Sequence, residues 1–280
     1  MAAPIDYRER TAVVTGAASG IGRALSISLA RRGANLALSD VNLEGLDETV
    51  RRCGLSTGRI LAERLDVADR VAVVAHAEKV AGTFDSVHLM INNAGVAVAG
   101  SVEETTFDDF DWLLGINLLG VINGTKAFLP HLIRSGDAHL VNLSSVFGLV
   151  APAFNGAYST AKFGVRGFTE ALRQEMRISG HPVQVHSVHP GGVRTNIAGN
   201  ARLTPGTRAA VGREGVAAGF DRVARTSPER AAAAILAGVD AGRARILVGG
   251  DAYLIAAIPR VLGARYIDLF AWAARRRLRR

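Results

Sequence analysis

A chain of 280 residues, 49% of them hydrophobic, holds enough apolar material for one large core, and 31 glycines against 8 prolines suit many tight turns rather than disorder. A single cysteine, Cys53, excludes an intrachain disulfide framework. The formal net charge of +8 is not a nucleic-acid footprint, because five arginines (Arg275, Arg276, Arg277, Arg279, Arg280) crowd the last six residues and leave only +3 elsewhere. No nucleic-acid partner is expected. The opening Met1–Arg10 is charged and lacks a signal-peptide pattern, and no uninterrupted run of about 20 apolar residues follows. With one cysteine fitting a reducing compartment, a cytoplasmic location is the expectation.

In chain order, short apolar or β-branched runs alternate with longer amphipathic stretches. The predicted strands are Thr11–Thr15, Asn35–Asp40, Arg59–Leu65, Val87–Asn92, Ala138–Leu143, Val183–His189 and Arg245–Val248. Helices are predicted between them, among others over Gly20–Arg32, Val71–Gly82, Phe107–Ser135, Asn155–Ser179 and Ser227–Ala241. This alternation predicts an α/β fold: a doubly wound, seven-stranded parallel sheet with helices on both faces. The mixed segment from Gly191 to Thr226 reads as a substrate lid rather than a domain boundary. A single domain is expected over residues 1–250, followed by a helical extension with a basic tail over 251–280.

The first predicted strand runs into Thr15-Gly16-Ala17-Ala18-Ser19-Gly20-Ile21-Gly22, where a helix begins. Glycines there permit the tight turn and close backbone approach that a pyrophosphate needs, and a helix N-terminus offers N–H groups and partial positive charge. A glycine-rich turn without a ligand would look the same. Asp40 sharpens the reading, because it ends the second strand, eighteen residues beyond Gly22, where a carboxylate can accept from an adenosine ribose. Capping the stretch that begins at Val41 is the plainer role for Asp40. A 2′-phosphate would set a second anion against that carboxylate. No Lys or Arg lies between Ser39 and Leu43 or between Gly16 and Gly22 to compensate, so NAD is expected rather than NADP.

Further along, Tyr158 and Lys162 lie four residues apart on one helix face, with Ser145 thirteen residues upstream of Tyr158. A free phenol has a pKa of about 10, and an adjacent ammonium lowers it by roughly 1–3, towards the range of general acid–base work. Ser145 adds a neutral hydroxyl for the same substrate oxygen. Solvated helix faces produce this spacing too, so its weight rests on its company.

Taken together, these residues resemble the short-chain dehydrogenase/reductase family over about residues 8–250. Thr15–Gly22 matches its Thr-Gly-x-x-x-Gly-x-Gly turn, and Asn92-Asn93-Ala94-Gly95 matches its Asn-Asn-Ala-Gly element. Asn117, Ser145, Tyr158 and Lys162 match its catalytic tetrad, and Pro190-Gly191 with Thr195 matches the turn after its sixth strand. The resemblance implies a Rossmann fold and hydride transfer with a nicotinamide. Tyr158 would exchange the proton, Ser145 would hold the substrate oxygen, Lys162 would bind the nicotinamide ribose and lower the phenol pKa, and Asn117 would hold a relay water. It also implies a cofactor cleft of Gly16, Ser19, Gly20, Ile21, Gly22, Asp40, Asp66, Val67, Asn93, Ala94, Gly95, Tyr158, Lys162, Pro190, Gly191, Val193 and Thr195. A homodimer or homotetramer through the helices Phe107–Ser135 and Asn155–Ser179 is implied as well.

Pocket candidates are Val146 and Phe147 after the serine, Phe154, Ala97–Ala99 and the lid; they are mainly apolar, so the expected substrate is a small apolar alcohol or ketone. Ser144 reads as a local turn residue, Asn123 as an ordinary polar position, and His186 and His189 as core or supporting residues. No metal is indicated. In the extension, Pro259 suggests a helix start, with Arg260, Arg265 and Asp268 on one side and Leu262, Ile267, Leu269 and Phe270 on the other. Packing on the subunit or a neighbour and weak peripheral membrane contact through 259–280 are both open. An NADPH-dependent carbonyl reductase and a cofactor-binding, non-catalytic regulator are the alternative functions. Asp40 argues against the first, and the intact tetrad against the second.

Overall fold

Strands buried on both faces need helices on both sides, and that requirement organises this molecule. The computed structural model describes residues 5–278. In chain order its elements are β1 (Thr11–Thr15), α1 (Gly20–Arg31), β2 (Asn35–Asp40), α2 (Leu43–Cys53), β3 (Ile60–Arg64), α3 (Arg70–Thr83) and β4 (Leu89–Asn92). They continue with β5 (Val98–Ala99), α4 (Phe107–Leu114), α5 (Gly120–Arg134), β6 (Ala138–Leu143), α6 (Gly156–Ile178), β7 (Val183–Pro190) and β8 (Arg202–Leu203). The last are α7 (Pro205–Ala210), α8 (Gly212–Val223), α9 (Pro228–Asp240), β9 (Arg245–Val248), α10 (Gly250–Leu262) and α11 (Arg265–Leu278).

The main sheet is seven-stranded and parallel, in the order β3-β2-β1-β4-β6-β7-β9. All seven expected strands are present. Connections run one way from β1 to β2 and β3 and the other way from β4 onward, so the strand order reverses between β1 and β4. A crevice opens at such a switch point, outside the carboxyl ends of the strands. One face is covered by α1 and α9, with Leu25, Leu29, Leu36, Leu38, Ile235 and Leu236 buried together. The other carries α3, α5 and α6 over Val80, Met90, Phe128, Leu132, Leu140 and Leu172. Each fully buried side chain of this size contributes about 1.5–3 kcal/mol, which is why the strands read as continuous apolar runs.

Three features differ from the sequence reading. The helix expected over Phe107–Ser135 is interrupted by a π-helical turn at Gly115–Leu119 between α4 and α5. Two-residue strands β5 and β8 form a second, parallel sheet that ties the lid segment to the loop after β4. The extension is two helices, not one starting at Pro259. Pro259 lies inside α10, where only one helical hydrogen bond is lost, and the break falls at Gly263, whose φ of 54° a side chain disfavours. The expected apolar side is split accordingly: Phe270 is half-buried, while Ile267 and Leu269 are exposed.

His139 and His186 stack at 5.3 Å between β6 and β7, and His139 Nδ1 lies 3.0 Å from His186 Nε2. Burial pushes their pKa values down to about 4 and about 3, and that of nearby His189 to about 4. All three are neutral in the fold. An unfolded chain takes up their protons below about pH 6.5. Stability should therefore be full above pH 6.5 and fall as the pH drops from there towards 4. The slope should approach about 1.4 kcal/mol per pH unit for each histidine. Urea midpoints at pH 7.5, 6 and 5 check this; a midpoint unchanged between pH 7.5 and 5 contradicts it.

Candidate active site

The crevice is built first by the turn after β1. Gly16 has a φ of 67°, and a Cβ there would come within 2.7 Å of the Ala94 backbone; one on Gly22 would lie 2.1 Å from the Gly16 carbonyl oxygen. Only glycine allows the turn and the loop after β4 to close together. Thr15 locks them: its Oγ1 accepts from the N–H groups of Asn93 (3.0 Å) and Ala94 (3.1 Å). Asn93 Nδ2 returns bonds to the carbonyls of Thr15 (2.9 Å) and Gly16 (3.0 Å). Ser19 precedes α1, yet its side chain makes no capping bond, so the helix N-terminus is left for another acceptor. Ile21 packs against the same apolar cluster that holds Val193, and the Thr195 methyl lies against Gly20.

Asp40 ends β2 beside this turn. Its carboxylate accepts from the N–H groups of Ala18 and Asn42, each at 2.9 Å. It does not cap α2; Asn42 does, accepting from Gly45 N–H at 3.0 Å. Asp40 therefore keeps acceptor capacity at the crevice rim. The β2–β3 register also sets Arg64 directly beside Asp40, a neighbour the linear sequence hides. On the next rim, the Asp66 carboxylate accepts from Ala68 N–H at 2.9 Å. Val67 is buried, and its carbonyl accepts from Asn123 Nδ2 at 3.1 Å. Asn123 is thus a buried tether between α5 and this loop, not an ordinary polar position.

At the other end of the crevice the four catalytic candidates come together. Asn117 sits in the π-helical turn, fully buried, and its amide is committed to the loop after β4: Oδ1 accepts from Val96 N–H and Nδ2 donates to Val96 O, both at 2.8 Å. Such turns are frequent at functional sites because they re-aim a side chain. Gly95 lies between Asn117 and Lys162, since a Cβ there would meet Asn117 Oδ1 at 3.3 Å and Lys162 Nζ at 3.8 Å. Lys162 Nζ donates to Leu143 O at 2.9 Å and stands 5.6 Å from the Tyr158 ring centroid. Ser144, the turn residue, bonds the backbone of α6 by donating to Lys162 O at 2.8 Å.

Burial raises the Tyr158 phenol to about 12, with the Ser145 hydroxyl working the other way, and lowers the Lys162 ammonium to about 8. The lowering of the phenol expected from the lysine is not present in this arrangement, because the ammonium lies over the ring and bonds a carbonyl. Ser145 Oγ accepts from Phe147 N–H at 3.1 Å. Its backbone is held by His189, whose Nδ1–H donates to Ser145 O at 2.9 Å. That fixes the tautomer, so Nε2 accepts from the Ser187 hydroxyl at 2.9 Å. Phe147 meets Tyr158 edge-on at 6.1 Å, whereas Val146 is buried in the turn. Phe154 is exposed at the mouth with a φ of 66°, a conformation uncommon outside glycine, and its carbonyl accepts from Gly100 N–H at 3.0 Å.

The segment from Gly191 to Thr226 is tied back to the loop after β4 and to α4. Beyond the β5–β8 pairing, Arg202 Nη1 donates to Asp109 Oδ1 at 3.0 Å while its guanidinium stacks on Trp112 at 3.6 Å. Glu104 accepts from Gly206 N–H at 3.1 Å. At the lid's base, Val193 pairs with Thr226, and Gly191 N–H donates to Val248 O at 2.9 Å. Gly192 N–H donates to the carboxylate of Asp251 at 2.6 Å. Asp251 is a contact the sequence reading missed, and nothing local in the sequence marked it. Among the described residues, no group of three or more His, Cys, Asp or Glu is placed to hold a metal ion.

An uncapped helix N-terminus over a glycine cradle, with a carboxylate at the rim of the next strand, fits a dinucleotide. Fold and crevice together define a nucleotide-binding oxidoreductase of the doubly wound α/β class. Residues 10–206 match the family model described as short chain dehydrogenase, and the chain belongs to the short-chain dehydrogenase/reductase family. It is 48% identical to SadH of Mycobacterium tuberculosis (strain ATCC 25618 / H37Rv), an oxidoreductase by assignment, over 95% of each chain. It is 35% identical to the C alpha-dehydrogenase of Sphingobium sp. (strain NBRC 103272 / SYK-6), over 84% of this chain and 79% of that one. It also matches the structure of a short chain dehydrogenase/reductase from Burkholderia phymatum in complex with NAD. The TM-score is 0.84 and the identity 28%, covering 92% of this chain and 95% of that one.

The Asp251 bond should matter to the crevice. Removing a charged acceptor from a backbone N–H costs about 1.5–3 kcal/mol, so Asp251→Ala should weaken nicotinamide dinucleotide binding by about 10-fold or more. Nicotinamide fluorescence titration measures it, with circular dichroism as the folding control. An unchanged dissociation constant in a folded variant removes Asp251 from the site.

Proposed function

We propose that this protein transfers hydride between NAD and an apolar secondary alcohol or ketone, with Tyr158 as the general acid–base. The observation that carries this reading is the setting of the Tyr158 ring, with Phe147 edge-on and the Lys162 ammonium facing it, at the crevice end where Ser145 lies. The bound nicotinamide would supply the hydride acceptor or donor. The chain supplies the rest. In oxidation Tyr158 takes the hydroxyl proton of the substrate, and in reduction it returns it. Ser145 Oγ already accepts from Phe147 N–H, which leaves its own proton to meet the substrate oxygen. Because burial holds the phenol at about 12 even against the Ser145 hydroxyl, positive charge nearby is needed to bring it into a working range. Lys162, with two N–H donors beyond the one given to Leu143, is the residue to provide it.

Asp40 supports NAD, since its carboxylate stands where a 2′-phosphate would need a positive partner. Arg64 beside it favours a second reading, an NADPH-dependent carbonyl reductase in which that guanidinium meets the phosphate. The apolar character of Phe147 and Phe154 supports an apolar substrate. A homodimer or homotetramer through α4, α5 and α6 is consistent with exposed Phe107, Leu119 and Phe163 on or beside those helices. A cytoplasmic location goes with this reading.

Tyr158→Phe should lower kcat by about 10³-fold or more while NADH binding stays within about 2-fold of the parent. Steady-state kinetics beside a fluorescence titration check both, and an active Tyr158→Phe enzyme removes the assigned role. In a paired titration NADH should bind about 100-fold more tightly than NADPH, the effect of one unscreened like-charge contact, and Asp40→Asn should shrink that gap. Tighter NADPH binding by the parent would establish the second reading instead.

A further inference from the structure

The last two helices turn the usual logic of a surface helix around. α10 buries Ala252 and Ala256 against the domain, and its first turn is pinned through Asp251. Projected at about 100° per residue, Tyr253, Leu254, Ala257 and Val261 share an arc of roughly 100° on the opposite side. That side faces solvent: Leu254 is 73% exposed and Val261 79%, with Tyr253 more than half exposed. Arg260 flanks this face. A solvent face of a globular protein is ordinarily polar, and a contiguous apolar one marks a contact surface.

α11 continues the pattern with charge added. Tyr266 and Phe270 are half-buried and meet edge-on at 5.4 Å. Outward, Arg265, Leu269, Trp272 and Arg276 fall within an arc of roughly 60°, and the Arg276 guanidinium stacks on the Trp272 ring at 4.1 Å. Beyond Asp251 the extension carries seven arginines against one acidic residue, Asp268. Helices of 13 and 14 residues are too short to cross a bilayer, which takes about 20. They are long enough to lie on one.

We propose that α10 and α11 form a docking surface for an anionic phospholipid membrane, the apolar arc entering the interface and the arginines meeting lipid phosphates. An aromatic ring with arginine stacked on it suits the headgroup level. Charge decides between the candidate partners. A second copy seated on the same face about a two-fold axis would set two arginine-rich segments against one another, whereas an anionic surface complements them.

The test is co-sedimentation of the full chain with vesicles of phosphatidylcholine alone or with phosphatidylglycerol at a 7:3 ratio, about that of a strongly anionic leaflet. The partition coefficient should be about 10-fold or more higher on the anionic vesicles, and should fall with added salt. Leu254→Glu/Val261→Glu and Arg275→Gln/Arg276→Gln should each remove most of that binding. Both sets are exposed, and NADH titration confirms that each variant keeps its fold. Equal sedimentation on both vesicle types, or of parent and variants on anionic vesicles, overturns the proposal. So does a parent oligomer that Leu254→Glu/Val261→Glu dissociates without vesicles, because a second copy would then cover this face.

Discussion

A pair of buried amides sets the geometry on which the crevice depends. Asn92 at the end of β4 donates to Asn142 Oδ1 of β6 at 2.8 Å and to Thr125 Oγ1 of α5 at 3.2 Å. Asn142 in turn donates to Thr169 Oγ1 of α6 at 3.0 Å. Four elements are thereby joined by polar groups with no access to water, each of which would cost about 1–3 kcal/mol if left unpaired. Slipping β4 against β6 by one residue would orphan the whole chain of bonds, so the register Asn92↔Asn142 is held by more than apolar packing. α5 approaches closely enough to take part only because Gly124 faces Asn92; a Cβ there would lie 2.2 Å from Asn92 Oδ1.

From that anchor the functional ends follow at short range. One residue beyond Asn92, Asn93 bridges to the turn after β1. One residue beyond Asn142, Leu143 offers the carbonyl that holds Lys162, and Ser144 and Ser145 follow. Thr169 lies two helical turns along α6 from Lys162, on the side that faces the sheet. Positions of candidate catalytic groups are thus set by backbone and buried amides rather than by contacts among those groups. The electrostatic consequence is visible in Tyr158 and Lys162, whose burial pushes both towards their neutral forms. The phenol then depends on its neighbourhood to become charged, whereas the lysine at about 8 stays mostly an ammonium near neutral pH.

Much of this was legible in the sequence, for local reasons. The strands were readable because both sheet faces are buried, and the glycine turn because Gly16 and Gly22 meet backbone that no side chain allows. The helix face of Tyr158 and Lys162 follows from a spacing of four. What escaped the sequence depends on partners far along the chain. β5 and β8 are two residues each, too short to show a period, and they exist because the lid returns to the loop after β4. Asn123 and Asp251 have nothing local to distinguish them; their meaning comes from Val67 and Gly192, distant in sequence. Pro259 carried a true local signal with the wrong consequence, because a proline near a helix end costs little when the helix packs on a domain.

Asp251 also changes what the extension is. Gly192, which it holds, is flanked by Gly191, joined to β9 through Val248, and by Val193, paired with Thr226 at the far end of the lid. Both ends of the lid therefore converge on a backbone whose N–H is satisfied by the first turn of α10. Small-residue packing at Ala252 and Ala256 brings that turn close, and the same geometry leaves Leu254 and Val261 facing outward. The inner side of α10 holds the Gly192 backbone, and its outer side faces solvent. Whatever that outer side rests on is then one helix diameter, about 10 Å, from the lid base. A displacement of α10 could not leave the Gly192 bond unchanged, so α10 and the base of the lid segment are coupled, although 24 residues separate Thr226 from Asp251 in the sequence.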